Sequence, residues 1–370
     1  MKNITLSLVF IFASAWTSPD AAGAAKPAVI STTTVQLVFP NPPDKPRVKW
    51  VRSIRNMRDL KGRSENFFEK IMSFLAGADV SQPFFVGAYG VYRQGGKLYV
   101  SDTGAQRLTI LDLDKATMKF IGETGDDMLR SPVAVAADPD GTMYVTDTGD
   151  HSVKSYSASG KLLWKTSALG GENGKLNRPS GISPTPEGNL LVADNGNRRL
   201  VLLTKEGKFV KELCVHARKD VYALANPNNV WVDKDGSFAV TDPLAARVHI
   251  FTSTGGVIGG FGEPGDSPGY LARPRGVAID SDGNIHVVDA VFSRVQIFNR
   301  KGELLLWYAS PGGGRAQLAL PAGIFIDKDG MIFVADAKNQ RIQVFQYISY
   351  PEEKAAETAV EPPAVSTAPK

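Results

Sequence analysis

Hydrophobic and polar residues alternate along most of this chain in runs of about five, broken by Gly-, Asp- and Pro-containing turns. The run RPRGVAIDSDGNIHVVDAVFSRVQIF (Arg273 to Phe298) is representative. Val277 and Ile279 flank Ala278 in a first strand, and Asp282-Gly283 marks a tight hairpin because Gly accepts positive φ without steric cost. A second strand (Ile285 to Val288) ends at Asp289, and a four-residue loop leads to Arg294 and a third strand (Val295 to Phe298). A Gly turn at Lys301-Gly302 then introduces a fourth, Leu304 to Tyr308. The unit recurs from Pro132, Pro179, Pro227, Pro274 and Pro321, with a divergent first copy near Pro83. Its acids, Asp102, Asp147, Asp194, Asp242, Asp289 and Asp336, stand 45 to 48 residues apart. Four short strands repeated at that period, six times, predict an all-β, six-bladed propeller of four-stranded antiparallel blades. The blades fall at about 83–131, 132–178, 179–226, 227–273, 274–320 and 321–350.

In each copy the acid is expected to accept hydrogen bonds from backbone amides of its loop. The base that follows is expected to pair with it or with a neighbouring blade. Arg107, Arg199, Arg247, Arg294 and Arg341 hold that position, and Ser152 breaks the pattern in the second copy. A pair that follows the repeat is read as a structural fastener, since catalytic groups are not distributed symmetrically. The Pro-x-Gly-Val start, the Asp-x-Asp-Gly turn, the Val-x-Asp end and the Arg-Val-x-Val-Phe segment resemble the NHL repeat, over roughly Pro83 to Phe345. The resemblance implies a six-bladed propeller of the exported bacterial type. It leaves function open, because NHL propellers include scaffolds, RNA binders and lyases.

A propeller must close without leaving a strand edge exposed. The last copy runs out of residues before its fourth strand, and RVKWVRSI (Arg47 to Ile54) alternates like one, so residues 46–55 are expected to supply the outer strand of the sixth blade. Residues 64–76 carry apolar positions at helical spacing behind Ser64 as N-cap, which predicts an amphipathic helix packed on the propeller body. The start reads as a signal peptide over 1–24: Lys2, an apolar run from Ile4 to Trp16, and small residues Ala22-Gly23-Ala24. An extended linker over 25–45 and a disordered Pro/Ala/Glu-rich tail over 351–370 complete the plan. The lone Cys214 permits no intramolecular disulfide and is read as a buried, inert thiol.

Charge is unevenly placed. Eight bases against one acid, Asp59, lie between Lys45 and Arg63, a local net of +7 in a chain whose total is +4. Nucleic acid is the usual partner of such a segment, but export favours anionic lipid, polysaccharide or an acidic protein face, and a solvated strand face is the plainer reading. Candidate chemistry is sparse. His249 is expected to face outward from a third strand and His286 to pack in a second strand. His151, Asp150 and His216 are placed on the loop face, two histidines where a catalytic zinc normally takes three protein ligands. Asn228 and Asn229 offer oxygens at the channel, with no carboxylate in their row. No nucleophile elbow, phosphate loop or dinucleotide fingerprint occurs. No metal or cofactor is expected. The loops between the acid and base columns vary most, so His151, Arg198, Phe292 and Lys338 are the expected contacts of a binding face. The expectation is a monomeric, exported, non-catalytic binding or scaffold propeller that recognises an envelope protein or glycan. The alternative is a metal-dependent lyase or lactonase at the channel mouth.

Overall fold

In the computed structural model, residues 36–61, 81–169, 174–214 and 222–351 are described. The expected signal peptide, the helix at 64–76, His216 and all but the first residue of the tail lie outside them, as does most of the linker. The described chain is a six-bladed β-propeller. Its innermost strands are Ala88–Gln94, Pro132–Ala137, Pro179–Pro184, Asn229–Val232, Pro274–Ile279 and Ile324–Ile326. Each touches the next around a closed ring. In the fifth blade Pro274–Ile279, Ile285–Asp289, Arg294–Phe298 and Leu304–Tyr308 pair in simple antiparallel order, and blades one to four repeat that order.

The burial pattern follows from this packing. Second strands such as Met143–Asp147, Phe238–Asp242 and Ile285–Asp289 are buried at every position, because both faces of a blade lie against neighbours. Fourth strands such as Leu304–Tyr308 alternate, since one face looks outward. Tight turns join first and second strands with Gly141, Gly188, Gly236, Gly283 and Gly330 at positive φ.

The Gly of the Pro-x-Gly start has a separate reason. A Cβ on Gly276 would sit 2.7 Å from the carbonyl oxygen of Ala322 and 2.9 Å from the amide of Ile324 in the next blade. Gly90, Gly181 and Gly323 meet the following inner strand just as closely. Blade contact at the axis is therefore backbone on backbone. Hydroxyls reinforce it: Ser101 donates to the Val133 carbonyl (2.7 Å) and Thr241 to the Arg275 carbonyl (2.6 Å).

The sixth sheet combines both ends of the chain. Val48–Ile54 pairs antiparallel with Arg341–Tyr347, with Val48 opposite Tyr347 and Ile54 opposite Ile342. Val38–Phe39 adds a fifth strand outside it. Trp50 Nε1 and Ser53 Oγ both donate to Gln343 Oε1 at 2.8 Å, tying the N-terminal strand to the blade by side chains as well. A five-residue helix, Met57–Lys61, follows, with Asn56 Oδ1 accepting from the amide of Arg58. Among the described residues no helix is long and apolar enough to cross a membrane.

Candidate functional site

Because first and second strands are antiparallel, the two ends of the propeller carry different elements. The acid-to-base loops and the blade-to-blade connections lie at one end. The turns between first and second strands lie at the other.

At the loop end the repeated acids are fully buried, and each binds the connection that enters its own blade. Asp147 accepts from the amides of Arg130 and Ser131 at 2.8 Å, and Asp289 from Ala272 at 2.7 Å. Asp102, Asp194, Asp242 and Asp336 hold Val86 and Gly87, Asn177, Ala225 and Asn226, and Ala319 in the same way. The acid thus fixes a backbone segment 15 to 17 residues upstream as well as its own loop, where Asp102, Asp147, Asp242 and Asp289 also accept amides.

The bases are less uniform than expected. Arg199 and Arg341 bond their own acids through Nε at 2.8 and 2.7 Å. In these two blades an Asn three residues after the acid, Asn197 or Asn339, also donates to the same carboxylate oxygen. In blades one, four and five a loop amide binds the carboxylate, and the arginines turn elsewhere. Arg107 reaches Glu123, the Phe84 carbonyl and the face of Phe120. Arg247 reaches the Gly260 carbonyl; Arg294 reaches the Ser267 carbonyl and stacks on Phe292, 4.6 Å from its centroid. In the second blade Lys154 takes over the position that Ser152 leaves. Its ammonium is 1% exposed and bonds Asp147 (2.9 Å), Asp150 (2.8 Å) and the Met128 carbonyl (2.7 Å).

Of the residues expected to bind a partner, His151, Arg198 and Lys338 are exposed on this face, and Phe292 is half-buried under Arg294. His151 and Arg198 are the last residues of their loops and adopt positive φ, as do Gln106, Ala246, Ser293 and Gln340 in the other blades. The His151 ring accepts from the Arg178 amide at 3.1 Å, and Asp150 is held by Lys154 and Lys165. His249 departs from expectation. It is fully buried, because a third strand here has a blade on each side and no outward column. His286 is also buried, with Nε2 3.0 Å from Asp280 and Nδ1 3.3 Å from the Tyr308 hydroxyl. Among the described residues no group of three or more His, Cys, Asp or Glu converges as a metal site would require. Asn228 Nδ2 donates to the Arg275 carbonyl, and Asn229 Oδ1 accepts from the Val277 amide, so both serve the contact between blades four and five.

The turn end of the channel opens into a cavity of about 860 Å³. Three aromatic side chains from blades one, four and six form one wall. Tyr92 and Phe325 lie 4.6 Å apart between ring centroids, and Phe325 and Trp231 lie 5.4 Å apart. All three are half-buried and all line the cavity. The structurally equivalent positions in the remaining blades are small: Ala136, Ser183 and Ala278.

Charged turns form the rim. Arg93 pairs with Asp327, and Arg300 pairs with Asp233. Asp235, Asp329, Lys234 and Lys328 are exposed. Behind the rim, Tyr347 and Ser349 donate to Asp282 at 2.9 Å. Burial alone would raise the Asp280 carboxyl, but hydrogen bonds from His286 and Asn284 and the His286 charge outweigh it and hold the group below its ordinary value. Burial, with help from the nearby Asp138 charge, pushes the Tyr92 phenol up to about 12, so it stays a neutral hydrogen-bonding group. The combination of flat apolar rings, carboxylates and guanidinium suits a ligand with both apolar faces and hydroxyls. Sequence reasoning missed this wall. Its signal was available as an aromatic residue in three of the six copies of one first-strand position.

The architecture is that of a six-bladed β-propeller, and residues 318–345, in the last blade, match the NHL repeat. The fold is thus that of a six-bladed propeller, and its last blade is similar to an NHL repeat. Several solved structures share the fold at low identity. Virginiamycin B lyase from Staphylococcus aureus is 15% identical, with a TM-score of 0.52, over 71% of this chain and 96% of that one. An auxiliary nutrient binding protein from Bacteroides thetaiotaomicron is 14% identical, with a TM-score of 0.55, over 72% of this chain and 70% of that one. A protein of unknown function from the same organism is 19% identical, with a TM-score of 0.56, over 72% and 71% of the two chains. Enzymes and binding proteins both occur among the neighbours, so the likeness shows the fold alone.

Proposed function

We propose that this protein is a non-catalytic binding propeller of the cell envelope that takes a small glycan into the turn end of its channel. The aromatic-walled cavity of about 860 Å³ carries the proposal. Its volume lies within the ~300–1,000 Å³ of small-molecule sites, which is too small for a folded protein partner. A sugar ring presents an apolar C–H face that packs on Tyr92, Trp231 or Phe325, and its edge hydroxyls meet the carboxylates of the rim. The signal-like start of the chain supports a place outside the cytoplasm.

The test is a fluorescence titration with chitobiose, cellobiose and maltose, using wild-type protein and Trp231→Phe. Saturable quenching in the wild type that shrinks in the variant is expected, because Trp231 is the tryptophan on the cavity wall. Absence of any saturable change with all three sugars would count against a glycan ligand. Turnover of a bound sugar would replace the binding role with an enzymatic one.

A further inference from the structure

We infer that the opposite, loop-bearing end of the propeller docks onto an anionic lipid surface. The inner collar of that end consists of the six acid-to-base loops and the two residues before each inner segment, counted from Ala88 in blade one and from the opening Pro in the others. Among these residues, five bases (Arg130, Arg178, Arg198, Arg273 and Lys338) face a single acid, Asp150. All five bases are exposed, while Asp150 is held by Lys154 and Lys165. Acids such as Glu123 and Glu263 lie further out, where the connections leave the outer strands, and Glu123 is paired with Arg107.

The other end is mixed in charge: the turns between third and fourth strands carry six bases against three acids, and Arg93, Arg300 and Lys205 pair with Asp327, Asp233 and Asp138. The turns between first and second strands carry nine acids against two lysines, Lys234 and Lys328. The exposed excess of bases is therefore a feature of the collar, and it draws that end toward a negative surface.

Shape decides which negative surface fits. Four aliphatic side chains project from the collar: Val86, Leu244 (74% exposed), Val291 and Leu320. They stand on blades one, four, five and six as separate tips. The aromatic residue of the collar, Phe292, is covered by the Arg294 guanidinium and is not presented as an anchor. Protein interfaces concentrate their energy in buried aromatic and arginine anchors set in pockets. Isolated Leu and Val tips ringed by bases instead suit the boundary between headgroups and acyl chains, where bases meet lipid phosphates.

Co-sedimentation with vesicles tests the inference independently of any ligand in the cavity. The full protein is mixed with vesicles of equimolar phosphatidylglycerol and phosphatidylcholine, or of phosphatidylcholine alone. Partition into the anionic vesicles is expected to be stronger by about tenfold or more, and to weaken sharply in high salt. Two double variants, Leu244→Asp/Val291→Asp and Arg273→Glu/Lys338→Glu, should each lose most of that partition. The altered side chains are exposed, so the melting temperature should not move. Lys49→Glu, in the part of the basic N-terminal segment that lies toward the turn end opposite Gln346, should bind as wild type. Equal partition into both vesicles would overturn the inference, as would anionic binding that survives both collar variants. Capture by soluble polyglutamate through the same residues, without vesicle binding, would also overturn it and identify an acidic protein as the partner.

Discussion

Lys154→Met is expected to destabilise the propeller by about 3 kcal/mol. The ammonium is 1% exposed and makes three bonds, two to carboxylates and one to the Met128 carbonyl. Removing one partner of a buried ion pair generally costs ~3–5 kcal/mol, because the remaining charge is left uncompensated. Here the lower end applies. Asp147 keeps the amides of Arg130, Ser131 and Gly149, and Asp150 keeps Lys165 and Ser152. Methionine preserves the stem, so little packing is lost. Urea denaturation followed by circular dichroism and tryptophan fluorescence measures the loss, with a melting temperature lower by roughly 6–12 °C. Placing arginine where most other blades have it, in Ser152→Arg/Lys154→Met, should recover part of the stability through the geometry that Arg199 uses on Asp194. A loss below about 1 kcal/mol in the single variant would refute the view that Lys154 replaces the missing arginine.

Gly276→Ala should cost about 2–3 kcal/mol by forcing blades five and six apart, whereas Gly259→Ala, whose Cβ would meet nothing within 4 Å, should stay near neutral in the same denaturation assay. Burial pushes the Cys214 thiol up to about 12, so a thiol reagent at pH 8 should leave native protein unlabelled and react fully once it is unfolded. The Asp280 carboxyl is held low in the folded state, so its stabilisation is complete above its unfolded value of about 4 and fades as pH falls through the folded value. Asp280→Asn should accordingly be less stable than wild type at pH 7, and the gap should narrow in acid; a gap that is constant with pH would exclude the charge as its source. A chain begun at residue 56 leaves the Arg341–Tyr347 edge uncovered and should self-associate by light scattering.

The repeat was legible because a blade imposes the same demands six times. The Asp column recurs since each inner-strand entry needs amide acceptors, and the Pro-x-Gly start recurs since inner strands meet backbone to backbone. Other features depended on the third dimension. His249 follows an outward-looking alternation that holds for a free-standing sheet and fails when both faces are covered. The separate destinations of Arg107, Arg247 and Arg294 depend on whether a loop amide or an Asn side chain reaches the acid first. The cavity was not legible because its aromatic residues come from three blades and meet only once the ring is closed. The size contrast of Tyr92, Trp231 and Phe325 with Ala136, Ser183 and Ala278 lies within the first strands.

Native mass spectrometry of the protein purified gently from its own host tests the central claim most directly. A bound saccharide that is absent from Ser281→Trp, which obstructs the exposed rim of the cavity while leaving the core untouched, is the predicted result. A saccharide retained by that variant, or a native protein carrying none, would contradict glycan binding in the channel.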